Sequence, residues 1–146
     1  MSHVTRIAFG ALVVFSVVAV AHAQPLAYLE AHAIVPIQPI TFHAGSTTTD
    51  TDGELMLEAV AHVLRANTTV TIEVGVHTDA RGSAEYNLRI SQARADAIRS
   101  FLIAAGVPAS RVTARGYGES RPIVTEAPNG TSSVRGRVEF VRTDVP

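Results

Sequence analysis

The chain contains no cysteine and no lysine. Without cysteine, disulfides and thiolate metal sites are excluded. Without lysine, all 12 basic residues are arginine, and they stand against 13 acidic residues for a formal charge of −1. Such balance argues against bulk nucleic-acid binding, which needs a basic excess over many phosphates, and against a membrane-surface role, which needs a basic cluster. A run long enough to span a bilayer is also missing: the apolar stretch from Ile7 to Ala21 falls short of the roughly 20 residues that a spanning helix requires. There is no internal repeat and no low-complexity tract.

That apolar stretch has another reading. Arg6 precedes it, and Ala21-His22-Ala23 follows as a small-residue cleavage site before Gln24, so residues 1–23 are expected to be a secretory signal that is removed. No cysteine follows the cleavage site, so a lipid-anchored chain is not expected. About 120 residues then remain, enough for one domain with a real core. An outer-membrane barrel of eight or more strands does not fit beside such a domain. The expected division is a signal segment at 1–23, a short linker at 24–33 and one domain at 34–146.

Within that domain the hydrophobic period alternates between helix and strand. Ile37 to Phe42 puts Ile40 and Phe42 on one face, with Pro36 and Pro39 marking an edge strand or its entry. A loop from His43 to Asp52 leads to Thr51 and Glu54, three apart as in a capping box. The helix that follows runs to about Ala66, with Leu55, Ala59, Val60, Val63 and Leu64 expected inward and Glu54, Glu58, His62 and Arg65 outward. Val70, Ile72, Val74 and Val76 alternate with Thr71, Glu73, Gly75 and His77, which predicts a strand with one wet face. A second helix spans about Ala84 to Ala105 and stops at Gly106, with Pro108 beyond. Val112–Tyr117 and Val134–Val141 complete the set as strands, joined by a loop with Pro122, Pro128 and Asn129-Gly130. The pattern predicts an α+β two-layer sandwich: one mixed sheet of about four strands with two helices on one face, in the order βαβαββ.

The most informative segment is His77-Thr78-Asp79-Ala80-Arg81-Gly82-Ser83-Ala84-Glu85-Tyr86-Asn87, continuing to Ser91 and Arg94. At 100° per residue, Asn87, Ser91 and Arg94 share a stripe that runs on into Ile98, Phe101, Leu102 and Ala105. Glu85, Arg89, Gln92, Asp96 and Arg99 fall opposite. The core-facing stripe thus turns polar in its first half. A guanidinium on such a stripe needs a partner, and Asp79 in the preceding loop is the nearest candidate. Plainer roles stand beside that one. Asp79 can serve as a turn residue bonding its own backbone, Arg94 can close on Asp79 as an internal ion pair, and Asn87 and Ser91 can fix the loop and the helix start.

Thr78, Asp79, Gly82, Tyr86, Asn87, Ser91 and Arg94 together closely resemble the OmpA-like family of peptidoglycan-binding domains. Similarity continues through Gly116-Tyr117-Gly118-Glu119-Ser120-Arg121-Pro122 and Arg137-Val138-Glu139-Phe140, covering most of the chain from about Ile37. What the resemblance implies is a noncovalent, periplasmic anchor to the cell wall or outer membrane that recognises the diaminopimelate of the stem peptide. The Asp matching Asp79 would meet the ammonium and the Arg matching Arg94 the carboxylate, with Thr78, Asn87, Ser91, His43, Ala44 and Arg137 in support. The chemistry of the residues agrees, since a free amino-acid end calls for an acceptor-only group on one side and a planar donor fork on the other. Two departures from the family pattern stand out: Val76 where glycine is usual, and Arg135-Gly136-Arg137-Val138 in place of Asn-Arg-Arg-Val. They motivate an alternative, an OmpA-like protein-interaction adaptor in a secretion or motility assembly of the envelope.

Catalysis and cofactors are not expected. There is no nucleophile elbow, no Ser-His-Asp ordering, and a single acid in the loop where glycosidases use two. His32, His43 and His77 lack ligand spacing, and no HExxH or Cys/His pattern is present. Asn67-Thr68-Thr69 and Asn129-Gly130-Thr131 fit the glycosylation pattern only as short turn-forming stretches do.

Overall fold

Caps fix both helices. Asp50 sits in extended conformation and accepts a hydrogen bond from Gly53 N at 2.8 Å, starting α1 at Thr51 and running it to Ala66. The cap is therefore Asp50, one residue before the expected Thr51. Ser83 does the same for α2 (Ala84–Ala104), accepting from Tyr86 N at 3.1 Å. Gly106, at φ +96°, ends α2: its N–H bonds Ile103 O and that of Val107 bonds Leu102 O, the two-bond closure of a Schellman motif.

A computed structural model describes residues 23–121, 124–126, 132–134 and 136–146. Residues 1–22 of the expected signal segment, Pro122, Pro128 and Asn129-Gly130 of the expected loop, and Arg135 lie outside the described residues. The strands are β1 (Ala27–Leu29), β2 (Ala33–Pro36), β3 (Ile72–His77), β4 (Val112–Gly118), β5 (Val124–Glu126), β6 (Ser132–Val134) and β7 (Arg137–Arg142). Five of them form one sheet in the order β1-β2-β7-β3-β4, and β5 pairs with β6 as a separate hairpin. β3 and β4 are parallel and joined through α2, while β7 runs antiparallel between β2 and β3. Both helices pack on the sheet, α1 against β1 and β2 and α2 against β3 and β4. The α+β, two-helix, mixed-sheet architecture is as predicted, with one strand more than expected in the main sheet and a two-stranded pair, β5–β6, inside the expected loop.

The extra strand comes from the segment read as a linker, where Ala27, Tyr28 and Leu29 pair with Pro36, Val35 and Ile34. The first core strand likewise falls earlier than Ile37–Phe42. Pro39 offers no N–H to a ladder, so pairing ends at Pro36 and Phe42 keeps only an isolated bridge to Thr49. Helix α1 buries Val60 and Leu64 as expected and packs Ala59 and Val63 partly buried against the core. Leu55 is instead 51% exposed, because the buried stripe runs through Gly53, Met56, Leu57, Val60, Ala61 and Leu64. Helix α2 buries Asn87, Ser91, Ala95, Ile98 and Leu102, on the predicted stripe.

Strand β4 lies unusually close to α2. Gly118 N donates to the buried Ser91 Oγ at 2.9 Å, Ser91 Oγ donates to Leu88 O at 2.9 Å, and Gly116 N donates to Gln92 Oε1 at 2.8 Å. Replacing Ser91 with alanine leaves the Gly118 amide buried without a partner. The expected loss of stability is about 1–3 kcal/mol, measured as a lowered urea midpoint.

Candidate functional site

The C-terminal end of β3 delivers Thr78 and Asp79 into the loop before α2, and the chain from Thr41 to Gly45 passes over it. Between them lies a cleft of about 580 Å³. Of the residues expected to form the site, Thr78, Asp79, Asn87, Arg94, Ala44 and Arg137 line it. Ser91 does not, being fully buried against β4. His43 enters through its backbone, its carbonyl accepting from Arg94 Nη2 at 3.3 Å.

Asp79 and Arg94 are not paired with each other. Both oxygens of the Asp79 carboxylate are met by Arg81: Oδ2 accepts from Nε at 2.9 Å and Nη2 at 2.6 Å, and Oδ1 from the Arg81 backbone N at 3.1 Å. The last bond is the turn contact that an Asp in a loop commonly makes. Those Arg81 hydrogen bonds hold the carboxyl below its ordinary pKa, and the Arg94 charge adds to the lowering while burial opposes it. Arg94 is held by backbone instead. Its Nε donates to Ser46 O at 2.8 Å, and its guanidinium lies 4.7 Å from the Phe42 ring centroid. Burial pulls its pKa down, yet a guanidinium stays charged. Among the described residues no carboxylate hydrogen-bonds Arg94, and Asp79 acts on it through its charge alone: the carbonyls of Ser46 and His43 and the face of Phe42 hold the guanidinium.

The rest of the site fixes the loop. Asn87 Nδ2 donates to Asp79 O at 3.2 Å and Glu119 Oε2 at 2.8 Å. Thr78 N donates to Gly118 O at 2.9 Å, while its hydroxyl is buried without a hydrogen-bond partner among the described residues. Gly82, at φ +89°, takes a backbone turn that glycine alone adopts easily. Sequence reasoning missed Phe42 and Tyr86 as walls and Arg81 as the partner of Asp79. The Arg81 contact was open to inference from its spacing, two residues from an acid in a turn.

His77 departs from its expected wet position. A bulge sets His77 opposite Gly118 and leaves Tyr117 as the extra residue, and the two rings stack at 4.7 Å with 4° between planes. His77 is consequently 2% exposed. Glu139 Oε2 lies 3.1 Å from its Nε2, but burial, aided by the Arg137 charge, outweighs that acid and lowers the imidazole pKa below 6.5. The neutral ring therefore donates Nε2–H to Glu139. Because the folded pKa is depressed, the unfolded chain takes up the proton first, so stability is complete above about pH 6.5 and declines as pH falls through the folded value. Urea titrations over this range should show that decline in the wild type and a flatter profile in His77→Gln.

Of the two departures from the family pattern, Val76 and Gly136 both line the cleft, and Arg135 lies outside the described residues. Val76 is 1% exposed within the core, and a Cβ on Gly136 would stand 2.8 Å from His77 O. Among the described residues no three His, Asp or Glu side chains gather as metal ligands, and no helix is long and apolar enough to cross a membrane.

The sequence profile of the OmpA family matches residues 41–135. The chain belongs to the OmpA family. Among relatives of this OmpA-family chain, the outer membrane porin F of Pseudomonas fluorescens is 47% identical over 68 residues, 47% of this chain and 21% of that protein. The peptidoglycan-associated lipoprotein of Agrobacterium fabrum is 39% identical over 84 residues, 58% of this chain and 48% of that one. In a crystal structure, the peptidoglycan-associated lipoprotein from Burkholderia pseudomallei matches with a TM-score of 0.60 at 26% identity, covering 71% of this chain and 88% of that one. The chain spans about half or less of the length of these curated relatives.

Proposed function

We propose that this OmpA-family chain is a periplasmic, non-catalytic module that binds peptidoglycan noncovalently through the diaminopimelate of the stem peptide. The observation that carries the reading is a carboxylate and a guanidinium lining one cleft without pairing to each other. Two opposite charges held apart in this way match an amino-acid end: Asp79 accepts from the ammonium, and the open edge of the Arg94 fork donates to the carboxylate. The relatives named as peptidoglycan-associated lipoproteins support the polymer. One carboxylate facing an arginine suits capture of a zwitterion better than glycosidic hydrolysis, which uses two acids. The reading as an adaptor without wall binding rested on Val76 and Arg135-Gly136. Val76 and Gly136 line the cleft themselves, but neither brings nor removes a charged group there, and Arg135 lies outside the described residues.

Co-sedimentation tests the proposal. The purified protein should pellet with sacculi built on diaminopimelate, and free meso-diaminopimelate should release it. Retention in the supernatant at every sacculus concentration tried would overturn it.

A further inference from the structure

The Asp79–Arg81 pair has a consequence for any ligand that enters the cleft. Arg81 occupies both carboxylate oxygens of Asp79 through its side chain and backbone. Its own side chain is 91% exposed, against 26% for that of Asp79. Among the described residues it makes no other hydrogen bond. An ion pair this open to water is weak and easily exchanged. An incoming ammonium competes with it for the carboxylate, and displacement leaves a guanidinium at the mouth of the site beside the new positive charge. Like charges so close repel. The repulsion is removed if the ligand carries a carboxylate next to its ammonium, because the released guanidinium can donate to it in a planar fork.

We propose that Arg81 is the selectivity residue of this cleft: it occupies Asp79 in place of a ligand's ammonium and releases it to ligands that bring a carboxylate beside that ammonium. Resting on the peptidoglycan reading above, the inference names the chemistry the site selects. Amino-acid ends are accepted, and plain amines of the same length are refused. Arg81 thereby weakens binding in general and sharpens it in kind. Its effect is local, since the side chain is 91% exposed at the mouth of the cleft and lies outside the buried core.

The sign of the effect separates this role from a general electrostatic one. Peptidoglycan is anionic, so losing an arginine that merely attracted the polymer would weaken sedimentation. Release of Asp79 does the opposite. Arg81→Gln should bind sacculi roughly two- to fivefold more tightly, the range an exposed ion pair spans. In the wild type, meso-diaminopimelate should displace the protein from sacculi and 1,5-diaminopentane should not; in Arg81→Gln the diamine should compete as well. Arg81→Lys, which keeps the charge, should still refuse the diamine. Wild-type sedimentation with an Arg81→Gln variant that binds no more tightly and still ignores diaminopentane overturns this inference alone. Failure of the wild type to sediment overturns it together with the reading it rests on.

Discussion

Arg94→Ala is expected to remain folded and to lose sacculus binding. Each hydrogen bond to a charged group contributes about 1.5–3 kcal/mol. A ligand carboxylate engaging two donors of the fork would therefore lose roughly 3 kcal/mol or more, a hundredfold or greater weakening. The same side chain also ties the loop at His43 and Ser46, so alanine removes an internal anchor along with the ligand contact. Arg94→Lys separates the two. It restores the positive charge and much of the packing on Phe42 but not the fork, so the loop should be partly restored while affinity stays low. Sedimentation measures binding, and circular dichroism with a urea titration measures the fold. Unchanged sedimentation of a folded Arg94→Ala variant would remove the cleft from the wall-binding assignment.

The fold was legible where a single period dominates. Helix α2 shows its inward stripe from Asn87 to Leu102 directly, and β3 shows its alternation. Reading failed where partners far along the chain decide. Nothing local marks Ala27–Leu29 as a strand, since it is ordered by pairing with β2 at the sheet edge. His77 reads as wet because the residue that covers it, Tyr117, arrives through a bulge 40 residues later. The site was legible in composition and less so in connection. Asp79 and Arg94 do share a cleft, and the internal ion pair that the sequence left open as a plainer role does not form, because Arg81 is nearer to the acid and backbone carbonyls are nearer to the arginine.

The absence of lysine acquires a physical reason from the same contacts. Arg65, Arg94, Arg99, Arg111, Arg137 and Arg142 each donate to backbone carbonyls. Arg111 alone reaches Leu64, Asn67 and Val70, capping the end of α1 and joining it to the start of β3. A planar fork with five donors can bridge several carbonyls at once, and an ammonium is a poorer match for that geometry. Arg111→Lys is therefore not conservative here, despite keeping the charge.

Gly116→Ala should give the largest loss of stability. A Cβ there would stand 2.2 Å from Gln92 N and 2.6 Å from both Gln92 Cα and Ser91 Oγ. Two of those atoms are helix backbone, which cannot swing aside as a side-chain tip can. Helix α2 must therefore move off β4, and the movement strains the Gly116–Gln92 and Gly118–Ser91 bonds. Overpacking of this kind costs about 1–3 kcal/mol or more, and each buried polar group left unmet adds roughly 1–3 kcal/mol. Together they approach the 5–15 kcal/mol that holds a domain folded, so the variant should unfold at a much lower urea concentration or fail to accumulate. Binding should fall with stability, since α2 carries Asn87 and Arg94 while Gly118 O anchors Thr78. A loss below about 1 kcal/mol would mean that helix and strand can separate cheaply. The Gly116-Tyr117-Gly118 motif would then owe its glycines to something other than this contact.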